Sequence, residues 1–374
     1  MRVQAASPTS SATKIREARF EDYTQIAALQ ARTGINSKTR EEWEHLWRNN
    51  PVYKKLTNWT IGWVAENPDH GIVGYIGNIP LSFHFKGREI VSGCIHSMTM
   101  DEPHRGSAGF LLRRLLNYKV PELIVTTTAN ANSAKLNDAF RQPRVPTGDW
   151  SQSPFWITNY KGFIASALHS KGLPQVLSYP ASYFLRLKDK LARADAWTRR
   201  NHQEIISCSA FDERFEQFWS DLKRAYPERL LATRSREVLQ WHFKHALAKG
   251  RAWIVTAGDG SRLSAYAVFY RQDNAEHLLK RVRLVDFQDL NGDSEVLIAM
   301  IASGLARCRN EGIHMLGAFG FRPEKQSVID NVAPYRRQFP NWWYYYKPVN
   351  KALAPELQNP EVWDPSHYDG DATL

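Results

Sequence analysis

The residues best suited to chemistry in this 374-residue chain lie together between positions 96 and 133. Arg105-Gly106-Ser107-Ala108-Gly109 opens an apolar-periodic run, Phe110 to Leu116. Small residues at a helix start let backbone N–H groups come close to an anion. The first helical turn adds unpaired donors and the positive end of the dipole. A pyrophosphate-bearing ligand suits such a loop. Just upstream lie His96, within the strand that enters the loop, and Glu102, at the turn. Strand alternation puts His96 on one face with Met98 and Met100. Downstream, Asn130 and Asn132 are the candidate polar contacts, with Asn132 or Ser133 alternatively the helix N-cap.

These groups need strands to hold them. A short strand is expected at Ile15, then a helix starting near Glu21 or Asp22. Trp59 to Glu66 and Gly71 to Pro80 read as adjacent strands joined by a turn at Asn67 to Gly71. Gly87 marks the next turn, and Ile90 to Met100 is the strand entering the loop. Leu123 to Thr128 is a further β-branched strand before the helix at Ala129 to Leu136.

At these residues the chain resembles the GNAT superfamily of N-acetyltransferases. That family carries a strand, an Arg/Gln-x-x-Gly-x-Gly/Ala loop and a helix. Arg105 takes the first position and Ala108 stands where the family usually has Gly, while Phe110 falls where Gly or Ala is usual. The order of strand, helices, three antiparallel strands, loop, helix and strand carries the likeness as much as the loop. The resemblance implies an α/β (α+β) fold, a mixed, mostly antiparallel central sheet flanked by helices. It also implies acetyl-CoA or another acyl-CoA as co-substrate, with Met98, Thr99, Met100, Arg105, Gly106, Ser107, Ala108, Gly109, Asn130 and Asn132 around it. His96 or Glu102 would take the proton from an amine acceptor that attacks directly in a ternary complex. A backbone N–H on Met98 to Met100 would hold the oxyanion. Many family members use a Tyr after the next strand as the acid; none follows Asn132 closely here, so the acid is unassigned.

The second half repeats the plan of the first. Thr39-Arg40 precedes Trp47 as Thr233-Arg234 precedes Trp241. Trp63 to Glu66 matches Trp253 to Thr256, Ile72 to Ile76 matches Leu263 to Tyr270, and Leu123 to Thr128 matches His314 to Phe319. In the second half the loop is Asn291 to Glu295, with no basic residue and one Gly, which disfavours a pyrophosphate. Two GNAT-like domains follow: a disordered segment over 1–14, an acyl-CoA-binding domain over 15–170, a helical linker over 171–204, a degenerate domain over 205–347 and a surface tail over 348–374. Phe339 to Tyr346 is expected as the last strand of the second repeat. Trp156 and Tyr160 are more at home in a core or seam than on a sugar ring.

Composition bounds the rest. Apolar content of 43% and aromatic content of 12% suffice for packed cores. A net charge of +11 fits a polyanionic co-substrate, with Arg105, Arg113 and Arg114 expected to cluster at the loop. No helix-turn-helix, zinc-finger or RNP pattern occurs, so nucleic acid is not expected. Three widely spaced cysteines (Cys94, Cys208, Cys308) argue for reduced thiols, no metal and a cytoplasmic setting, and no run is long and apolar enough for a membrane span. The acceptor would be a small or amino-sugar amine. The two-domain plan and aromatic middle segment resemble bacterial members of the family, some tied to cell-surface polysaccharide synthesis. The competing reading is a non-catalytic binding or scaffold protein on the same frame.

Overall fold

The computed structural model describes residues 13–148, 150–191, 204–338 and 342–374. In chain order the first half contains β1 (Lys14–Glu17), α1 (Tyr23–Arg32), α2 (Arg40–Arg48), β2 (Gly62–Asn67), β3 (Gly71–Phe85), β4 (Arg88–Met100), α3 (Ala108–Leu116), β5 (Leu123–Ala129) and α4 (Ala131–Ala139). A bridging stretch follows, with β6 (Gln152–Ile157), α5 (Tyr160–Ser170) and α6 (Ser178–Leu191). The second half contains β7 (Ile206–Cys208), α7 (Arg214–Ala225), β8 (Leu231–Ala232), α8 (Arg236–Ala248), β9 (Ala252–Gly258), β10 (Leu263–Arg271), β11 (Arg281–Asp289), α9 (Ser294–Asn310), β12 (Met315–Ala318), α10 (Pro323–Val332), β13 (Tyr335–Gln338) and β14 (Trp343–Pro348).

The strands form two 7-stranded sheets. One runs β1-β2-β3-β4-β5-β14, with β8 paired to β3; the other runs β13-β6-β12-β11-β10-β9-β7. Both are mostly antiparallel, with parallel pairs at β4–β5 and β11–β12. The turn between β3 and β4 is made by Lys86 and Gly87, both at positive φ, the conformation a two-residue hairpin demands.

The first sheet takes β8 and β14 from the second half, and the second sheet takes β6 from the bridging stretch. β14 closes the first sheet by pairing antiparallel with β5, and β6 inserts beside β12 in the second. The aromatic strand expected to end the second repeat thus completes the first, and the described part of that segment begins at Trp342. One core cluster draws Trp43, Trp47 and Ile79 from the first half, Phe215, Trp241 and Tyr266 from the second, and Trp363 and Tyr368 from the tail. At the seam, His45 Nε2 lies 2.9 Å from the Trp241 carbonyl and Trp241 Nε1 donates to the His45 carbonyl at 3.0 Å.

Three sequence expectations differ here. Lys14, assigned to the disordered segment, already belongs to β1; residues 1–12 lie outside the described residues. The Thr-Arg match is offset from the structural repeat. Thr39 caps α2 with a reciprocal Glu42 box, whereas Ser235, not Thr233, caps α8. The tail after Pro348 is not a surface extension: Trp363, Asp364, Ser366, His367, Tyr368 and Asp369 are all buried.

The tail is held by charge. Arg234 is wholly buried and donates to Asp286 through Nε (3.0 Å) and Nη2 (2.9 Å), and to Asp369 (3.2 Å). Tyr266 and Ser366 donate to Asp286 at 2.6 and 3.1 Å, and Tyr368 lies under the guanidinium. Two carboxylates out of water require that cation. Arg234→Met should therefore lower unfolding free energy by about 3–5 kcal/mol in denaturant titration, well above a typical surface change.

Burial, assisted by Arg234 and Lys38, pushes His242 down to about 3, and burial does the same for His367. Their folded values lie below the unfolded value near 6.5. Their contribution to stability is therefore full above pH 6.5 and is lost as pH falls toward 3. Asp369, pushed up to about 7 by burial, works in the opposite sense between about 4 and 7. Unfolding at pH 7.5 and 4.5 should show a loss on acidification that His242→Gln reduces by about 2 kcal/mol.

Candidate functional site

The first sheet opens where the sequence places His96. β4 pairs parallel with β5 through Ser92, Gly93 and Cys94 only, although β4 continues to Met100 and β5 to Ala129. On its other side β4 carries a bulge: Ser97 and Met98 together oppose Ile76, and Ser97 adopts φ +50°. A bulge reverses the side-chain phase beyond it. Met98 and Met100 therefore join Ile95 in the cluster under α3, with Leu111 and Leu112. The expectation that His96 shares their face is corrected by that extra residue.

His96 is 7% exposed and stands at the opening. Its Nδ1 lies 3.0 Å from Asp371 Oδ2 and its Nε2 lies 2.9 Å from Ser97 Oγ. An ionised Asp371 only accepts, so Nδ1 carries the proton in neutral His96 and the Nε2 lone pair faces Ser97. Asp371 Oδ1 accepts from Thr128 Oγ1 (2.7 Å) and Thr127 Oγ1 (3.2 Å), both on β5. The tail thereby joins the two parted strands. Sequence reasoning missed Asp371 because it lies 275 residues from His96.

The other expected residues are spread around this centre. Thr99 Oγ1 donates to Thr33 Oγ1 at 2.7 Å, and Met100 is buried against Gly74. Glu102 is exposed and pairs with exposed Arg105 at 3.2 Å; it lies outside the His96–Asp371 cluster. Residues 102–107 form a 3-10 turn that runs into α3, and Arg32 pins its start through Asp101 at 2.7 Å. Arg105 and Gly106 are exposed, and a Cβ on Gly106 would meet nothing within 4 Å. Ser107, Ala108 and Gly109 are half-buried at the start of α3. Arg113 and Arg114 sit in the last turn of α3, roughly 8 Å along its axis from Ala108, and do not cluster with Arg105 at the loop.

Asn130 takes the capping role. Its Oδ1 accepts from Asn132 N (3.0 Å) and Ser133 N (2.9 Å), while Asn132 is exposed in the first turn of α4. A Tyr arrives from an unforeseen direction. Tyr345 on β14 donates to Asp138 Oδ1 at 2.9 Å, and its hydroxyl is pushed up to about 12, by burial and then by Asp138. Cys94 is fully buried, and burial raises its thiol, so it is a packing residue. Trp156 lies in the second core and Tyr160 donates to Asp189 at 2.6 Å, which gives both structural roles.

The second sheet has an equivalent opening with different contents. β11 pairs with β12 through Leu284 and then runs on to Asp289. There Asp286 of β11 meets Arg234, which also pairs with Asp369, and the Phe287 carbonyl accepts from Lys325 Nζ at 3.1 Å. At the start of α9, a cavity of about 220 Å³ is lined by Arg322 and Lys325 as well as Asp289 and Asp293. The loop itself has no cation, but the fold brings in three from elsewhere, Arg229, Arg322 and Lys325; Lys325 is paired with Asp364 at 2.8 Å. Among the described residues no group of three His, Cys, Asp or Glu is placed to hold a metal ion, and no helix is long and apolar enough to cross a membrane.

A GCN5-related N-acetyltransferase from Anabaena variabilis is 11% identical, with TM-score 0.51 over 91% of this chain and 73% of that one. One from Kribbella flavida is 10% identical, with TM-score 0.53 over 91% and 72%. The N-myristoyltransferase of Saccharomyces cerevisiae, solved with bound myristoyl-CoA and inhibitors, is 12% identical, with TM-score 0.57 over 92% and 81%. The chain has the GNAT fold, in tandem. No protein-family model matches it, and no curated protein matches its sequence.

A Cβ on Gly370 would fall 1.9 Å from Thr127 Oγ1, so only glycine lets the tail approach β5 this closely. Gly370→Ala should destabilise the protein by about 2 kcal/mol or more. It should also shift the His96 ring resonances in NMR, as Asp371 moves off Nδ1.

Proposed function

We propose that this chain is an acyl-CoA-dependent N-acyltransferase that moves an acyl group, acetyl in the simplest case, to a small or amino-sugar amine by direct attack in a ternary complex. The observation that supports it best is the parting of β4 from β5 after Cys94, with His96 held in the gap by Asp371. GNAT-fold enzymes as a class use acyl-CoA, and the yeast N-myristoyltransferase structure contains myristoyl-CoA.

The residues around the opening fit a thioester of coenzyme A. Arg105 is free to turn outward from an exposed ion pair, and the open space at Gly106 admits a diphosphate near the α3 N-terminus. Acyl-CoA supplies an electrophilic carbonyl on a thiol leaving group. His96 takes the proton from the acceptor ammonium through Nε2, with the Ser97 hydroxyl as the relay. Asp371 holds the ring tautomer and stabilises the imidazolium that forms. A peptide N–H on Met98 to Met100 faces the developing oxyanion. Glu102 is too exposed to serve as a tuned base, so His96 carries that role alone. The second repeat, whose loop over 291–295 carries no cation of its own, contributes a wall and not a second acyl-CoA site.

Acetyl-CoA should raise the melting temperature, and Arg105→Glu should reduce the rise. His96→Ala should lower kcat by about 10²–10⁴ with Kd for acetyl-CoA nearly unchanged, and Asp371→Asn should lower kcat less. A shift with no turnover on any amine, insensitive to His96→Ala, would favour the binding-protein reading. Absence of any shift would remove the acyl-CoA assignment.

A further inference from the structure

Helix α6 is turned inside out. Its buried residues are Ser178 and Asp189, and only Leu185 among its large apolar side chains packs inward. Asp189 anchors that face by accepting from Tyr160 at 2.6 Å and from Tyr335. The opposite face carries Tyr183 (66% exposed), Phe184 (68%), Leu187 (41%) and Leu191 (75%). At 100° per residue these four, with Pro180, fall within an arc of roughly 100°, centred nearly opposite Asp189. Ordinary surface helices do the reverse.

The stripe is not isolated. Leu173, Val176 and Leu177, in the turn between α5 and α6, are also exposed, as is Tyr179. The large exposed apolar side chains of the described residues are concentrated in this one hairpin; the others are single residues such as Phe110 and Leu278. Scattered apolar residues need no explanation, but a contiguous stripe on one protruding element does.

The charge around the stripe says what covers it. Residues 160–191 contain Lys161, Lys171, Arg186, Lys188 and Lys190 and one acid, Asp189, which is buried and faces inward. On the helical wheel Arg186 and Lys190 border one side of the stripe and Lys188 the other. Aromatic and leucine side chains flanked by cations on long stems match the boundary of an anionic bilayer. There the rings and alkyl chains enter the interface and the ammonium groups stay among phosphates. A protein groove would not require a rim of one sign around the whole patch. We propose that the face of α6 bearing Tyr183, Phe184 and Leu187, with the turn at 173–177, docks this protein on the surface of an anionic membrane. The chain lies on the bilayer and does not span it. Such docking rests on none of the acyl-transfer reading. Together with that reading it places the acceptor amine on a lipid-linked or membrane-apposed molecule.

Co-sedimentation of the full chain with vesicles of phosphatidylcholine alone, and of phosphatidylcholine mixed with phosphatidylglycerol, tests this. Binding is expected to the mixed vesicles, far less to the neutral ones, and to fall as salt rises. Phe184→Glu/Leu187→Glu should lower the partition coefficient by roughly a hundredfold, since each side chain withdrawn from the interface is worth on the order of tenfold or more. Lys188→Glu/Lys190→Glu should lower it chiefly at low salt. These side chains are exposed, so melting temperature and coenzyme A binding should not change in either variant. The proposal is overturned if the chain stays in the supernatant with both vesicles, or if binding ignores the Phe184/Leu187 pair. It is equally overturned if sedimentation velocity shows a dimer, dissolved by that pair, with no vesicle binding.

Discussion

Two parallel strands that pair for three residues and then part leave a row of peptide groups without a neighbour. That separation is the constraint on which this molecule is organised. In water such a gap would close or fill at random. In the second sheet β11 pairs with β12 for four residues and runs on past its end at Ala318, and the C-terminal tail reaches both β4 and β11. Asp371 ties His96 on β4 to Thr127 and Thr128 on β5, and Asp369, two residues earlier, meets Arg234 and Asp286 beside β11. The same few residues therefore brace the gap between β4 and β5 and complete the buried ion pairs beside β11. Buried pairs of this kind contribute little net stability against a well-packed apolar alternative, but they fix one arrangement and forbid others.

The exchange of strands follows from the same geometry. β14 covers the free edge of β5, which would otherwise present unpaired donors and acceptors to solvent or to other chains. β6 does this for β12. Once each sheet takes an edge from outside its own half, a single apolar cluster runs through the seam, and the repeats cannot separate without exposing it. Duplication is still visible in the strand orders and in the His45–Trp241 pair. The halves differ in charge, with His96 and Asp371 at the gap beside β4 and the buried Arg234–Asp286–Asp369 pairs beside β11.

Much of the fold was legible because its signals are local. The β-branched run at Leu123, the turns at Asn67 and Gly87 and the repeated Trp-led strands all declare themselves within about ten residues. His96 was legible as a candidate because it stands on the strand before the loop. Its partner was not, since Asp371 sits in a Pro-, Asn- and Asp-rich tail that reads as solvent-facing. The bulge at Ser97 was hidden for another reason: no Gly marks it, and a single positive φ reverses the alternation that the residue pattern implies. Arg234 resembled Arg40 in spacing, yet Arg40 is an exposed helix residue paired with Glu44 and Arg234 is the most deeply buried cation among the described residues. Spacing along a sequence does not tell burial that depends on contacts 52 and 135 residues away.

The most direct measurement is a crystal structure of the chain with a non-hydrolysable acyl-CoA analogue. The acyl carbonyl is expected in the gap between β4 and β5, within reach of the peptide nitrogens of Met98 to Met100 and of His96 Nε2, with the diphosphate at Gly106 to Gly109. An analogue bound at the start of α9, or a tail still filling the first gap with the analogue elsewhere on the surface, would contradict that placement.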